Sequence, residues 1–95
     1  MAEVQCGKFE YMGSDPQTGE VKFRSRLTLA PTPQWVAVFN EYQALERRLG
    51  NTAVASISGN VIGFEVPEAL AESTASVVRR CIAKASWSRS PASAS

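Results

Sequence analysis

Apolar and polar residues alternate cleanly over residues 20–30, which read EVKFRSRLTLA. Val21, Phe23 and Leu27 share one side of this alternation, and a period of two is typical of a strand with one buried face. The stretch EVQCGKFEY before it also favours a strand, and the intervening GSDPQTGE is rich in turn-forming residues. The pattern therefore predicts a β-hairpin over residues 3–30.

The phase of the first strand predicts an irregularity within it. Val4 and Cys6 are out of phase with Phe9 and Tyr11 along a regular strand. A bulge at Gly7 brings both pairs to the same inner face, and glycine within a strand often marks a bulge.

The register of this hairpin has two solutions. One pairs Phe9 with Phe23 and sets Lys8 opposite Arg24, a like-charge pair that is mildly destabilising. A shift of two residues sets Glu10 beside Arg24 and removes much of that conflict. The sequence does not choose between the two registers.

Residues 32–50 are predicted to form a helix. Thr32 is a suitable N-cap, Pro33 suits the first helical position, and Gly50 supplies the C-terminal stop. Apolar residues at helical spacing predict the face that packs on the core: Trp35, Val38, Phe39, Tyr42, Leu45 and Leu49. The polar residues, Gln43 and Glu46 among them, are predicted to lie mostly away from this face.

A second hairpin is predicted around the turn signal Gly59-Asn60. Pairing outward from this turn gives three apolar pairs on one face: Ile57 with Ile62, Ala55 with Phe64, and Ala53 with Val66. The opposite face holds the remaining residues: Val54, Ser56, Ser58, Val61, Gly63 and Glu65. A wrong register would scramble this separation, so its coherence supports the hairpin.

A second helix follows, starting near Pro67 and Glu68. Its predicted buried stripe consists of Leu70, Thr74, Val77, Val78, Cys81, Ile82 and Ala85. Three cations lie off this stripe near the C-terminal end, where the helix dipole favours positive charge: Arg79, Arg80 and Lys84. The polar segment 87–95 is predicted to be a disordered tail.

The elements predict one α+β domain over residues 1–86, with the order ββαββα. A four-stranded antiparallel sheet would carry both helices on one face. The two hairpins echo each other faintly, since GEV at 19–21 and GNV at 59–61 each open a second strand. This echo is compatible with a duplication without demonstrating one.

The composition and net charge of the chain narrow the classes of function that are expected for it. The chain has 95 residues and a net charge of +1, and this near balance argues against a dedicated nucleic-acid binder. No apolar run approaches the roughly 18–20 residues that span a bilayer. The first ten residues lack a basic start followed by an apolar stretch, so we expect a cytoplasmic protein without a membrane segment.

No catalytic or metal motif stands out. The chain has no histidine, so the commonest general base and metal ligand is absent. Cys6 and Cys81 show no metal-type spacing and are interpreted as small buried apolar residues. The carboxylates are interpreted as solvated surface groups, which is their commonest role in proteins. We therefore predict a protein that is not an enzyme and needs no cofactor or metal.

The candidate binding residues form a basic strip, Lys22, Arg24 and Arg26, on the predicted outer face of the first hairpin, with Lys8 nearby. The simplest interpretation is the solvated face of a one-sided sheet. Phosphate binding is a second, helped by the helical cations Arg79, Arg80 and Lys84. However, sheet-based RNA binders stack bases on exposed aromatic residues, and the aromatic residues here are predicted to face inward.

A protein interface is the third interpretation of the same face. Val54 and Val61 add apolar surface beside the strip, and arginine is favoured at interfaces. We therefore expect a small interaction or regulatory protein that binds another protein or a second copy of itself, as a homodimer. Nucleic-acid binding through the basic strip is the alternative.

Overall fold

The computed structural model describes the backbone of residues 4–94 and the side chains of residues 4–86. Within that range the elements follow in this order: β1 (Glu10–Ser14), β2 (Glu20–Arg26), α1 (Pro33–Arg48), β3 (Ser56–Ser58), β4 (Val61–Pro67), a 3-10 turn (Glu68–Leu70) and α2 (Ala71–Ala94). The predicted α+β class and the order ββαββα are confirmed.

Helix α2 extends past residue 86, where the sequence predicts that the domain ends. Its backbone is helical to Ala94. The side chains of the segment lie outside the described residues, so the disordered tail predicted for 87–95 stays a prediction.

The strands form one antiparallel sheet in the order β1-β2-β4-β3. The two central strands pair over seven residues, from Glu20 opposite Pro67 to Arg26 opposite Val61. The middle pair is Phe23 and Phe64, whose rings stack with centroids 5.6 Å apart. Each hairpin thus supplies one central and one edge strand.

The first hairpin adopts the shifted register. Glu10 lies opposite Arg24 and Tyr11 lies opposite Phe23, so the register that pairs Phe9 with Phe23 is wrong. The observed pairing sets unlike charges side by side, which is the favourable cross-strand arrangement. A further irregularity between Tyr11 and Gly13, which makes Met12 the extra residue, was not predicted.

A second irregularity lies in the segment just before β1, where the alternation of apolar and polar residues predicts a bulge. Cys6 bridges to Leu27, and the next described pair is Glu10 with Arg24. Cys6 and Glu10 are four positions apart along the chain, whereas their partners Leu27 and Arg24 are only three positions apart. The first segment therefore carries one extra residue between positions 7 and 9, as the bulge predicted at Gly7 implies.

Both helices cover the same face of the sheet and close one core. Its fully buried side chains include Trp35 and Phe39, whose rings stack at 5.5 Å, and Phe64 is 5% exposed, so the core positions predicted for these aromatics are confirmed. Tyr11 contacts Phe23 on the inner side, but it is 59% exposed because β1 is an edge strand. The inner-face position predicted for Tyr11 is therefore confirmed, but the edge of the sheet leaves the side chain uncovered.

Helix α1 begins and ends as predicted but buries a different face over its second half. Thr32 accepts a hydrogen bond from the backbone N–H of Trp35 at 3.1 Å. Leu45 and Leu49 are exposed, although they were predicted to be buried. Gln43, which was predicted to lie away from the core, is buried.

The burial of Gln43 follows from the shortness of β3. Ile57 pairs with Ile62 as predicted, but Ala55 and Ala53 are buried without joining the described ladder. Gln43 accepts from the backbone N–H of Ala55 at 2.8 Å and donates to its carbonyl at 3.0 Å. A buried backbone needs such partners, so the helix supplies what the sheet does not.

Candidate functional site on the open sheet face

The second face of the sheet is not covered by any helix in the described part of the chain. We call this surface the open face and define it by ten residues: Glu10, Lys22, Arg24, Arg26, Val54, Ser56, Ser58, Val61, Gly63 and Glu65. The strand register groups most of them in cross-strand rows. The first row joins Lys22 and Glu65, the second Glu10, Arg24, Gly63 and Ser56, and the third Arg26, Val61 and Ser58.

A shallow groove of about 630 Å³ runs over this face. Its floor is low because Gly63, Ser56 and Ser58 are small. A Cβ atom on Gly63 would lie 3.1 Å from the carbonyl oxygen of Phe23 and 3.4 Å from the Cβ atom of Arg24. The close approach of β2 therefore favours glycine at this point, and the groove depends on it.

The walls of the groove combine apolar and charged side chains. Met12 and Val54, 44% and 45% exposed respectively, both line it. Val54 and Val61 were singled out from the sequence, and the structure brings both to the groove. Met12 was missed, because the bulge that directs it here was not predicted. Gly13, which follows Met12 and has a positive φ of 121°, is the local signal that could have indicated it.

Carboxylates accompany two of the three cations of the basic strip. Lys22 Nζ lies 3.9 Å from Glu65 Oε2, with both side chains well exposed. Arg24 lies directly opposite Glu10 in the neighbouring strand. Arg26 differs in that its cross-strand row contains only Val61 and Ser58, although Glu10 lines the same recess as Arg26. Within residues 4–86, neither Arg24 nor Arg26 forms an ion pair with a side chain.

Lys8 is exposed but stands apart from the groove. It lies in the irregular segment before β1 and is not among the residues that line the groove. The structure therefore joins Lys22, Arg24 and two valines in one surface, with Arg26 at its end, and leaves Lys8 outside it.

The second basic group predicted from the sequence lies on the helical side of the molecule. Arg80 Nε and Nη2 donate to the two carboxylate oxygens of Glu46 at 3.2 and 3.0 Å. Lys84 Nζ lies 4.0 Å from the same carboxylate. Arg79 stacks over the ring of Phe9 at 5.4 Å. These cations are engaged within the fold and are not adjacent to the basic strip.

The Glu46 carboxylate is the most strongly held charge in the described residues. Its side chain is only 6% exposed, and Asn51 donates a further hydrogen bond at 2.7 Å. Hydrogen bonds from Arg80 and then Asn51 lower the pKa of Glu46, against the opposing effect of burial. The pKa of Arg80 is raised by the same pairing.

Neither cysteine is activated. Burial raises the pKa of Cys81, and the negative charge of Glu46 raises it further. Burial also raises the pKa of Cys6, which is half-buried, although nearby Arg79 opposes this. The thiolate is the reactive form of cysteine, so both thiols are held in their less reactive state.

The described residues contain no group of three or more histidine, cysteine or carboxylate side chains that could hold a metal ion. Among the helices within residues 4–94, none is long and apolar enough to cross a membrane. Comparisons with protein families, with curated proteins and with solved structures find no match to this chain. Functional inference therefore depends on the geometry of the open face.

Proposed function

We propose that this chain is a small non-enzymatic interaction protein that binds another protein through its open face. The observation that supports this most directly is the groove. Its floor of small residues lies between exposed apolar side chains and charges of both signs. Such mixed surfaces, with arginine and methionine among their residues, are typical of protein interfaces.

Charge distribution favours a protein over a nucleic acid. Glu10 and Glu65 stand beside Arg24 and Lys22, so a phosphate backbone laid along the basic strip would meet negative charge in two of the three rows. A protein can supply both signs in return. Phosphate binding through the basic strip is kept as the alternative function.

A regulatory role in the cytoplasm is part of the proposal, and so is a homodimer as one form of the interaction. The absence of histidine and the protonated thiols support a non-enzymatic role, because the usual pairs of nucleophile and base are missing. The partner is expected to bind the open face whether it is a different protein or a second copy.

Site-specific photocrosslinking in extracts of the native host tests the proposal. A photoreactive aliphatic diazirine amino acid, small enough to leave the groove open, replaces Ser56 in the groove or, as a control, Ser76 on the exposed side of α2. We expect a discrete protein adduct from position 56 alone. The adduct should resist nuclease and weaken in the double variant Arg24→Glu, Arg26→Glu.

The captured protein must then be made separately and its affinity measured by titration calorimetry. Loss of binding by the double variant, with retained binding by Arg48→Glu on α1, is the expected result. Equal adducts from both positions, or an adduct that nuclease removes, would contradict protein binding at this face.

A further inference from the structure

We infer that the groove binds an extended acidic segment of the partner, with a carboxylate at the Arg26 end and an apolar side chain at the Met12–Val54 end. This inference rests on the proposed function and names the chemistry of the partner. It follows from the charge at one end of the groove, the apolar surface at the other, and the distance between them.

Arg26 supplies the charged end. It is exposed, and unlike Lys22 and Arg24 it has no carboxylate in its cross-strand row. A recess of about 410 Å³ beside it is lined by the two cations Arg24 and Arg26 and by one carboxylate, Glu10, so its excess of positive charge leaves room for a single added carboxylate. A guanidinium group binds a carboxylate through two parallel hydrogen bonds, which makes a carboxylate the fitting ligand.

Met12 and Val54 supply the apolar end. Both are nearly half exposed, and they line the groove from the two opposite edges of the sheet, with Lys22 and Glu65 between them. The charges at this end are already matched, since Lys22 and Glu65 lie within 3.9 Å of each other. An apolar side chain of the partner is therefore the group that gains most by contact here.

The spacing fixes the length of the ligand. Lys22 and Arg26 are four residues apart on β2, which corresponds to about 13 Å along a strand. An extended segment covers the same distance with four residues. The acidic and apolar groups of the ligand should therefore occupy positions i and i+4 of an extended chain.

The size of the face favours a segment over a second globular surface. The four strands have five, seven, three and seven residues, and at a strand spacing of about 4.8 Å they cover on the order of 350 Å². A stable interface between globular proteins buries about 800 Å² on each partner. A short extended segment needs less area, and the low floor at Gly63 gives its backbone room.

Titration of the isotopically labelled protein, followed by amide NMR shifts, tests this inference. The probe is the peptide LSTSE with blocked ends, and the matched peptides are LSTSQ, which lacks the charge, and LESTS, which has the wrong spacing. Peptide reaches about 10 mM, because a ligand of this size is expected to bind near 1 mM. Shifts should cluster at Arg26, Ser56, Ser58 and Gly63.

The variant Arg26→Glu should weaken LSTSE binding at least tenfold, and Arg48→Glu should leave it unchanged. Ser56→Phe, at an exposed position that fills the groove, should also abolish binding without unfolding the protein. Equal binding of LSTSQ or LESTS, shifts located elsewhere, or no shifts at all would overturn the inference. So would stronger shifts at the same residues with an oligouridylate.

The photocrosslinking tests whether the open face binds a protein, and the peptide titration tests whether the ligand is an acidic segment. One of them can therefore fail while the other succeeds. A nuclease-resistant protein adduct at position 56 combined with no LSTSE binding would refute the acidic segment while leaving protein binding intact. Shifts that depend on protein concentration without peptide would assign the face to a second copy of the chain, and the acidic segment would again be refuted.

Discussion

Glu46 and Glu65 both sit beside cations, yet the two sites serve different purposes. Glu46 is 6% exposed and accepts two hydrogen bonds from Arg80 and one from Asn51. Glu65 is 40% exposed and lies 3.9 Å from Lys22. The first carboxylate joins the two helices, whereas the second lies on a surface that water, or a partner, can reach. Both residues are glutamates, so the residue type does not distinguish them. Burial and hydrogen-bond geometry decide whether a carboxylate holds the fold together or remains available to a partner.

The largest difference in stability is expected between a truncation in the core beneath the helices and a truncation on the open face. Phe39→Ala should lower the free energy of unfolding by about 3–5 kcal/mol, because a fully buried ring leaves a cavity. Val54→Ala on the open face should change it by less than about 0.5 kcal/mol. Urea denaturation measures both, and unchanged stability of Phe39→Ala would refute the core assignment.

The two carboxylates provide a sharper comparison. Glu46→Gln should lower the free energy of unfolding by about 1–3 kcal/mol, since it weakens charge-assisted hydrogen bonds at a buried site. The matched change Glu65→Gln should cost less than about 0.5 kcal/mol, as exposed ion pairs usually do. Similar losses in the two variants would mean that the difference in burial has no energetic consequence.

The stability of Glu46→Gln should depend on pH differently from that of the wild type. The pKa of Glu46 is lower in the folded protein than in the unfolded chain, so its contribution is fully present above the unfolded value of about 4.3. That contribution is lost as the pH falls through the lowered folded pKa. Glu46→Gln should therefore flatten the acid limb of the stability curve relative to the wild type, which urea denaturation at a series of pH values would measure.

The smallest expected effect is the response of the open face to nucleic acid. Fluorescence anisotropy with labelled RNA and DNA at two salt concentrations should detect little binding by the wild type. Phosphate contacts would give affinity that falls steeply with salt and disappears in the double variant Arg24→Glu, Arg26→Glu. That result would mean that the open face binds nucleic acid, and the proposal of a protein partner would be overturned.

Local patterns in the sequence determined the class and order of the fold. Alternation in EVKFRSRLTLA separates Val21 and Leu27 from the basic strip, and the structure keeps that separation. Gly59-Asn60 sets Ile57 opposite Ile62. Thr32 caps α1 as its position predicts. Each of these signals acts over a few residues, so the chain carries it without reference to the rest of the fold.

Tertiary structure alone decided the details of the open face and the helical interface. The strand order, the two-residue shift that sets Glu10 beside Arg24, and the bulge at Met12 depend on pairing between distant segments. The burial of Gln43 and Glu46 depends on a backbone and an arginine that belong to other elements. Helical periodicity reports only which residues share a face, because the partner of that face lies elsewhere in the chain.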